Sequence, residues 1–491
     1  MYKHLQAYLS KEIYPFHMPG HKRNPMFFPP RLPDLDLTEI PGMDVLRSPS
    51  GILRDLQAKI SGFYNSDESF LLVNGSTSGI IAAICATVGD GGKLYAARNG
   101  HVSMYSGMAL SGAAPVYVQP EVVPYRAGTA DGINMTGIMG GINPSMLEDM
   151  EEGAAVIIVS PTYEGFVSDV QMIAEKVHSQ GGILIVDEAH GAHFPFHDTF
   201  PDSALALGAD IIVHSLHKTL PVLGQMAVLH VKGPRVDVGR LKYFLHGLTT
   251  TSPSYMLMAQ LDYVLEMLWR RPELFDMYVD RLSALRKALA HSESGIIMLT
   301  GTEFVGRHGI HDIDRGKLLF ELNANQSAEE LSKMLADKYR IQVEMAKGRH
   351  LLAMTSVADT DEGMQRLWAA VGAVNIRLGT EEAESPGTEP DTAAEGETGH
   401  PYPALEHEPL PVENPPEQNI PIMPTPVQVL SPRQATMQPT DIIPWDDAAG
   451  RIAGEVIAAY PPGIALVAPG ERIPQGLPKL VETVRVIREI L

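Results

Sequence analysis

ADIIVHSLHKTLP, residues 209–221, passes from a buried-looking apolar segment directly into a lysine that has His217 beside it and Ser215 three residues before it. The ADIIV portion reads as a short inner strand, so Lys218 stands where the chain leaves the core, near the end of a sheet. A lysine after a strand ordinarily lays its stem on apolar surface and runs its ammonium into solvent. Only its neighbours can assign it another role.

Outward from this stretch, similar apolar runs recur from residue 70 to about 231, each ending in small or polar residues. They are SFLLVNGSTSG, KLYAARNGH, APVYVQP, AAVIIVSPTYEG, GILIVDEAHGAH, ADIIVHSLHK and QMAVLHV. Helix-length segments such as SGIIAAICATV and SDVQMIAEKVHSQGG lie between several of them. The alternation predicts an α/β fold with a doubly wound, mostly parallel sheet. Such sheets bind ligands beyond the carboxyl ends of their strands, and that is where the unusual residues of this chain fall.

After the sheet, SPSYMLMAQLDYVLEMLWRRPELFDMYVDRLSALRKAL has helical spacing and leads to a second, smaller α/β unit ending near residue 378. The expected division is an N-terminal arm at 1–45, a large domain at 46–275, a small α/β domain at 276–378, an acidic, proline-rich linker at 379–428 and a C-terminal domain at 429–491. Residues 379–418 hold eleven acids and no Lys or Arg, too polar a tract to bury a core alone. There is no internal repeat.

Composition narrows the function. With 491 residues and 44% hydrophobic content, the chain can form roughly two to four domains. A net charge of −21 argues against nucleic acid as a partner, because phosphate binding needs a basic face. No run approaches the roughly 18 apolar residues of a membrane span, and MYKHLQAYLSKEIYPF lacks the apolar core of a signal peptide, so a cytoplasmic protein without a membrane partner is expected. The single cysteine, Cys85, leaves no internal disulfide and reads as a small buried hydrophobe.

Four segments carry chemistry. In VNGSTSG, residues 73–79, glycine permits a close turn while Ser76, Thr77 and the following helix N-terminus offer donors to an anion; a plain helix cap is the alternative. No Gly-Lys-Ser/Thr or GxGxxG is present, so this is neither a nucleotide P-loop nor a dinucleotide site. Asp187 ends an apolar strand, where an acid is costly unless a cation or donors meet it, or it caps a loop. His101 follows a strand through Asn-Gly and faces either a cleft or solvent. The pairs His190/His193 and His214/His217 suggest a metal, but a lysine beside His217 opposes a cation and HExxH is absent, so no metal is expected. A lysine, an acid, a flat aromatic ring and a set of hydroxyls together are what pyridoxal phosphate requires, for its aldehyde, ring nitrogen, ring face and phosphate respectively.

These segments bring a family into view. The stretches HMPGHKRN (17–24), DLTEIPGMDVL (36–46), NGSTSG (74–79), RNGHVS (98–103), SPTYEG (160–165), VDEAHGAH (186–193), HSLHKTLP and TTTSPSYMLMAQLD (249–262) resemble the bacterial ornithine/lysine/arginine decarboxylases. The C-terminal GRIAGEVIAAYPPGIALVAPGE is similar to that family's terminal domain, so the likeness is nearly end to end. It implies a pyridoxal-phosphate enzyme of the aspartate aminotransferase fold type that decarboxylates a basic amino acid, arginine or lysine before ornithine, in polyamine biosynthesis. By the same resemblance Lys218 forms the Schiff base, Asp187 holds the pyridinium proton, His101 stacks on the ring and His190 approaches the ring hydroxyl. Ser76, Thr77, Ser215 and His217 hold the phosphate. Ser252, in the SPSY loop, reaches the phosphate of a neighbouring subunit, which implies a homodimer or larger homo-oligomer. HMPGHKRN lies near the start of the chain, so the receiver-like N-terminal wing of the large inducible members is not expected. An aminotransferase or aldolase-type enzyme of the same fold is the alternative, and a non-catalytic regulatory homologue is disfavoured by the retained lysine, acid and phosphate donors.

Overall fold

The seven apolar runs become the seven strands of one sheet: β1 (Glu68–Leu72), β2 (Lys93–Ala97), β3 (Ala114–Val118), β4 (Ala155–Val159), β5 (Ile183–Asp187), β6 (Ile211–His214) and β7 (Ala227–Val231). The order is β1-β7-β6-β5-β4-β2-β3, and only β7 runs against its neighbours. The structure is a computed structural model that describes residues 2–123, 138–290, 296–322, 327–381, 426–459, 464–477, 479 and 481–488.

The central strands read as unbroken apolar runs because both faces of the sheet are covered. Side chains alternate across it. On β4, Ala155 and Ile157 join one core with Ile80 and Ile84 of α2 (Gly75–Thr87), Met104 and Met108 of α3 (Val102–Ser111) and Leu241 of α5 (Val238–Leu248). Val156 and Ile158 join a second core with Ile60 of α1 (Ile52–Tyr64), Ile173 of α4 (Val170–Ser179) and Leu261 of α6 (Tyr255–Arg270). Each fully buried aliphatic side chain contributes roughly 1.5–3 kcal/mol. Helix starts are set locally: the Asp169 side chain accepts from Met172 N–H at α4, and Ser254 from Leu257 N–H at α6.

The second core continues into the smaller unit. There β8 (Ile296–Leu299), β9 (Lys317–Leu322), β10 (Met345–Lys347) and β11 (His350–Met354) form an antiparallel sheet in the order β8-β9-β11-β10. Helices α7 (Glu273–Leu289), α8 (Ala328–Tyr339) and α9 (Asp361–Glu381) accompany it. Helix α7 spans residues 275 and 276, where the two units are expected to meet.

The N-terminal segment is paired with the rest of the chain. Strand Tyr14–Phe16 pairs in parallel with Ile341–Val343 of the small unit. Gly20 donates its N–H to His217 O at 2.8 Å, and a Cβ at Gly20 would stand 2.6 Å from Leu220 O, so only glycine allows this approach to the lysine loop. The expected linker falls outside the described residues for 382–425; α9 runs on to Glu381, and Val427–Gln428 pairs with Glu471–Arg472. Beyond it, Trp445, Ala453, Val467, Val484 and Val486 share a small separate core. Among the described residues no helix is long and apolar enough to cross a membrane.

Candidate active site

The loops after β1, β2, β4, β5 and β6 leave the same edge of the sheet and line a cavity of about 380 Å³. Ser76, Thr77, His101, Asp187, His190, His217 and Lys218 all line it. Ser215 is buried behind them and donates to Ser76 Oγ at 2.7 Å. Ser252 lies exposed, outside the cavity of its own chain.

The β1 loop leaves hydrogen-bond donors open to the cavity. Gly75 turns with a φ of +76°, and Asn74 makes no side-chain cap at the start of α2, so the first N–H groups of that helix stay available beside the Ser76 and Thr77 hydroxyls. His217 is less simple than the sequence suggested. Its Nδ1 lies 3.0 Å from Met226 O and donates there, so Nε2 offers an anion an N–H only as an imidazolium. Burial lowers its pKa, which the Met226 bond opposes and the neighbouring Lys218 reinforces.

Asp187 and Lys218 face the same space at the ends of adjacent parallel strands. Burial raises the Asp187 carboxyl, against the pull of Lys218 and His101, and one oxygen accepts from Ala189 N–H at 3.2 Å. Burial lowers Lys218, against the pull of Asp187 and Glu344. His101 caps α3: its Nδ1 accepts from Ser103 N–H at 3.2 Å with Ser103 Oγ at 2.9 Å, which fixes the ring plane and places the proton on Nε2. Burial keeps that ring neutral, with Asp187 opposing and Lys218 assisting.

His190 stands between two lysines. Its Nε2 is 3.1 Å from Lys218 Nζ and its Nδ1 is 2.7 Å from Lys317 Nζ. Burial, followed by both ammonium groups, pushes its pKa well below the usual value. Lys317, at the start of β9, drew no notice in the sequence, since RGKLLFEL reads as an ordinary strand start. Glu344 was missed too. Its carboxylate accepts from Tyr163 O–H at 2.6 Å and Met18 N–H at 2.9 Å on the cavity wall, beside Glu164. The SPTYEG stretch pointed to Tyr163 and Glu164 without a role; nothing in sequence pointed to Glu344, which comes from the small unit.

The C-terminal segment closes the cavity at Ile464, which forms a β-bridge with His101. Arg98 holds that segment: its guanidinium donates to Leu466 O at 2.9 Å, Tyr105 Oη at 3.0 Å and Glu471 Oε2 at 2.6 Å. Among the described residues, no three His, Cys, Asp or Glu side chains gather as a metal site.

Comparison with known proteins agrees across the chain. The family model described as Orn/Lys/Arg decarboxylase, major domain, matches residues 1–346, and that of the Orn/Lys/Arg decarboxylase C-terminal domain matches 419–490. The arginine decarboxylase of Halalkalibacterium halodurans is 30% identical over 466 residues, covering 93% of this chain and 87% of its own. That of Bacillus anthracis is 29% identical over 501 residues, covering 96% and 94%. The constitutive lysine decarboxylase of E. coli superposes with a TM-score of 0.70 at 17% identity, covering 94% of this chain and 76% of its own, a likeness of fold.

Proposed function

We propose that this chain, which belongs to the Orn/Lys/Arg decarboxylase family of pyridoxal-phosphate-dependent amino-acid decarboxylases, releases carbon dioxide from a basic amino acid, arginine or lysine in preference to ornithine, to supply polyamine synthesis. The observation that carries the substrate class is the Glu344 carboxylate, fixed by Tyr163 and Met18 on the wall of the cavity that contains Lys218. A cationic side chain is the partner such a group favours.

The donor set fits the cofactor. The uncapped start of α2 with Ser76 and Thr77 would hold the phosphate, backed by Ser215 and by His217 as its imidazolium. His101 would stack on the ring, Asp187 would face its nitrogen, and Lys218 would carry the covalent link. Pyridoxal phosphate supplies an aldehyde that links to amines and a protonated ring that takes up the electron pair left when carbon dioxide departs.

The residues of the chain do the rest. Asp187 holds a proton in the cavity because its own charge, raised in energy by burial, is relieved by a cation opposite. Ser103 keeps the His101 ring from turning. Met18, Met139 and Ile464 give the cavity apolar walls that exclude water, which strengthens every charge interaction within it. Ser252 is assigned to a partner's phosphate in a cytoplasmic homodimer or larger homo-oligomer, and the five-part division of the chain belongs to the same reading.

The test is a panel of arginine, lysine and ornithine with product identification, beside borohydride reduction and peptide mapping of the cofactor. Carbon dioxide and the matching amine, with the pyridoxyl group on Lys218, are expected. Label on another lysine sinks the assignment, and keto-acid product without carbon dioxide turns it to an aminotransferase.

A further inference from the structure

A neutral imidazole has one N–H and one lone pair, whereas an ammonium only donates. His190 contacts a lysine amine through each ring nitrogen, Lys218 at 3.1 Å and Lys317 at 2.7 Å. Two ammonium groups cannot both bond to a neutral ring, and an imidazolium between them would pack three cations into a buried space. At least one amine is therefore neutral. With one ammonium present, two arrangements share the same atoms and the same total charge, differing only in where the protons stand.

We propose that His190 is a proton relay and Lys317 the proton partner of Lys218, so that the lysine bearing the cofactor changes its charge without help from water. In the first arrangement the Lys218 ammonium donates to Nε2 and Nδ1–H donates to the Lys317 amine. In the second, Nε2 has taken a proton from Lys218 while Nδ1 has given its own to Lys317. One N–H bond forms and one breaks at the ring, and Lys218 is left as the free amine that can attack an aldehyde. The inference rests on the reading of Lys218 as the cofactor lysine.

The surroundings make both arrangements accessible. Lys218 faces Asp187, Glu344 and His101, while Lys317 faces Asp314, Glu344, Glu164 and the Tyr163 ring, 5.5 Å from Nζ. His190 also meets Tyr163 edge-on at 5.3 Å and lies near His193 and His217. Asp314 is held ionised by His193 Nε2 at 3.0 Å and by Gly316 N–H at 2.9 Å, which provides a fixed negative charge for the Lys317 ammonium. Lys317 is only 4% exposed, so His190 is its bonded route for protons. Burial brings its pKa down to about 8, within reach of neutral pH.

The experiment follows capture of pyridoxal phosphate by apoprotein through the rise in visible absorbance, as a function of pH. Capture by the wild type should fall as pH drops below about 8, where a second proton joins the pair, both amines are ammonium ions and Lys317 can no longer take the proton of Lys218. Lys317→Met removes the acceptor and should slow capture about a hundredfold, and both it and Lys317→Arg, whose side chain neither takes nor gives up a proton, should lose that pH step. A rate and pH profile like the wild type in either variant overturns the relay. Should a variant not fold, judged by apoprotein thermal unfolding, the wild type decides alone: a solvent deuterium effect on capture is expected, and its absence overturns the relay. Wild-type protein that captures no cofactor removes the reading of the whole site, which is a different failure.

Discussion

Arg98 and Glu471 form a buried ion pair, with 2.6 Å between Nη2 and Oε2 and side chains 5% and 1% exposed, that ties the C-terminal segment to the loop bearing His101. The same Glu471 oxygen accepts from Ala468 N–H, so one carboxylate shapes the turn that follows Ile464–Val467 and anchors it.

Breaking this pair on one side should be harsher than replacing both partners. Glu471→Gln leaves a guanidinium buried without its counter-charge and should cost about 3–5 kcal/mol, whereas Arg98→Met combined with Glu471→Leu should recover most of the loss. Thermal unfolding of the three proteins checks this. A double variant no more stable than Glu471→Gln would count against the pair as the cause.

Asp187→Asn should still bind cofactor at Lys218 yet decarboxylate slowly. Asparagine keeps the size of the side chain but not the charge that favours a protonated ring nitrogen. The loss falls on the step with the greatest electron demand, so turnover should drop on the order of a hundredfold. Carbon dioxide release near the wild-type rate would take Asp187 out of the chemistry.

If Ser252 serves a neighbouring subunit, mixtures should gain activity. Ser252→Ala and Lys218→Ala proteins each carry a defect in every site, but a hybrid dimer rebuilds one intact site from the two intact residues. Activity above the sum of the separate proteins is expected after mixing and refolding. No gain, or a fully active monomer by light scattering, places Ser252 elsewhere.

His350 should make the protein acid-sensitive. Burial, assisted by Arg349, brings the pKa of His350 down from 6.5 to about 4. The unfolded chain then binds more protons between those values, so stability is lost as pH falls from 6.5 toward 4, on the order of 3 kcal/mol for this group. His350→Gln, neutral throughout, should show a shallower decline of unfolding temperature over that range. Parallel declines would exclude His350 as a contributor.

The strands, the fold class and the placement of Lys218, Asp187 and His101 after strand ends were legible in the sequence because each signal is local. An apolar run ending in a polar residue of known chemistry identifies a strand and what its end presents, and the repetition of such runs identifies the sheet. Ser76 and Thr77 were legible for the same reason, as a glycine turn that opens a helix. His217 was found by position, but its bond to Met226, and with it the tautomer of a neutral ring, depends on a carbonyl nine residues away across a turn.

Lys317, Glu344 and Ile464 belong to the other kind. Glu344 and Ile464 reach the cavity wall, and Lys317 reaches His190 behind it, only when the small unit or the C-terminal segment packs against the sheet. A strand's apolar rhythm is written by water's exclusion along neighbouring residues, so it can be read in the chain itself. The meeting of Lys317 with His190, 127 residues apart, is set by the packing of separate elements, and the low pKa that makes it chemically interesting exists only once that packing has removed the water.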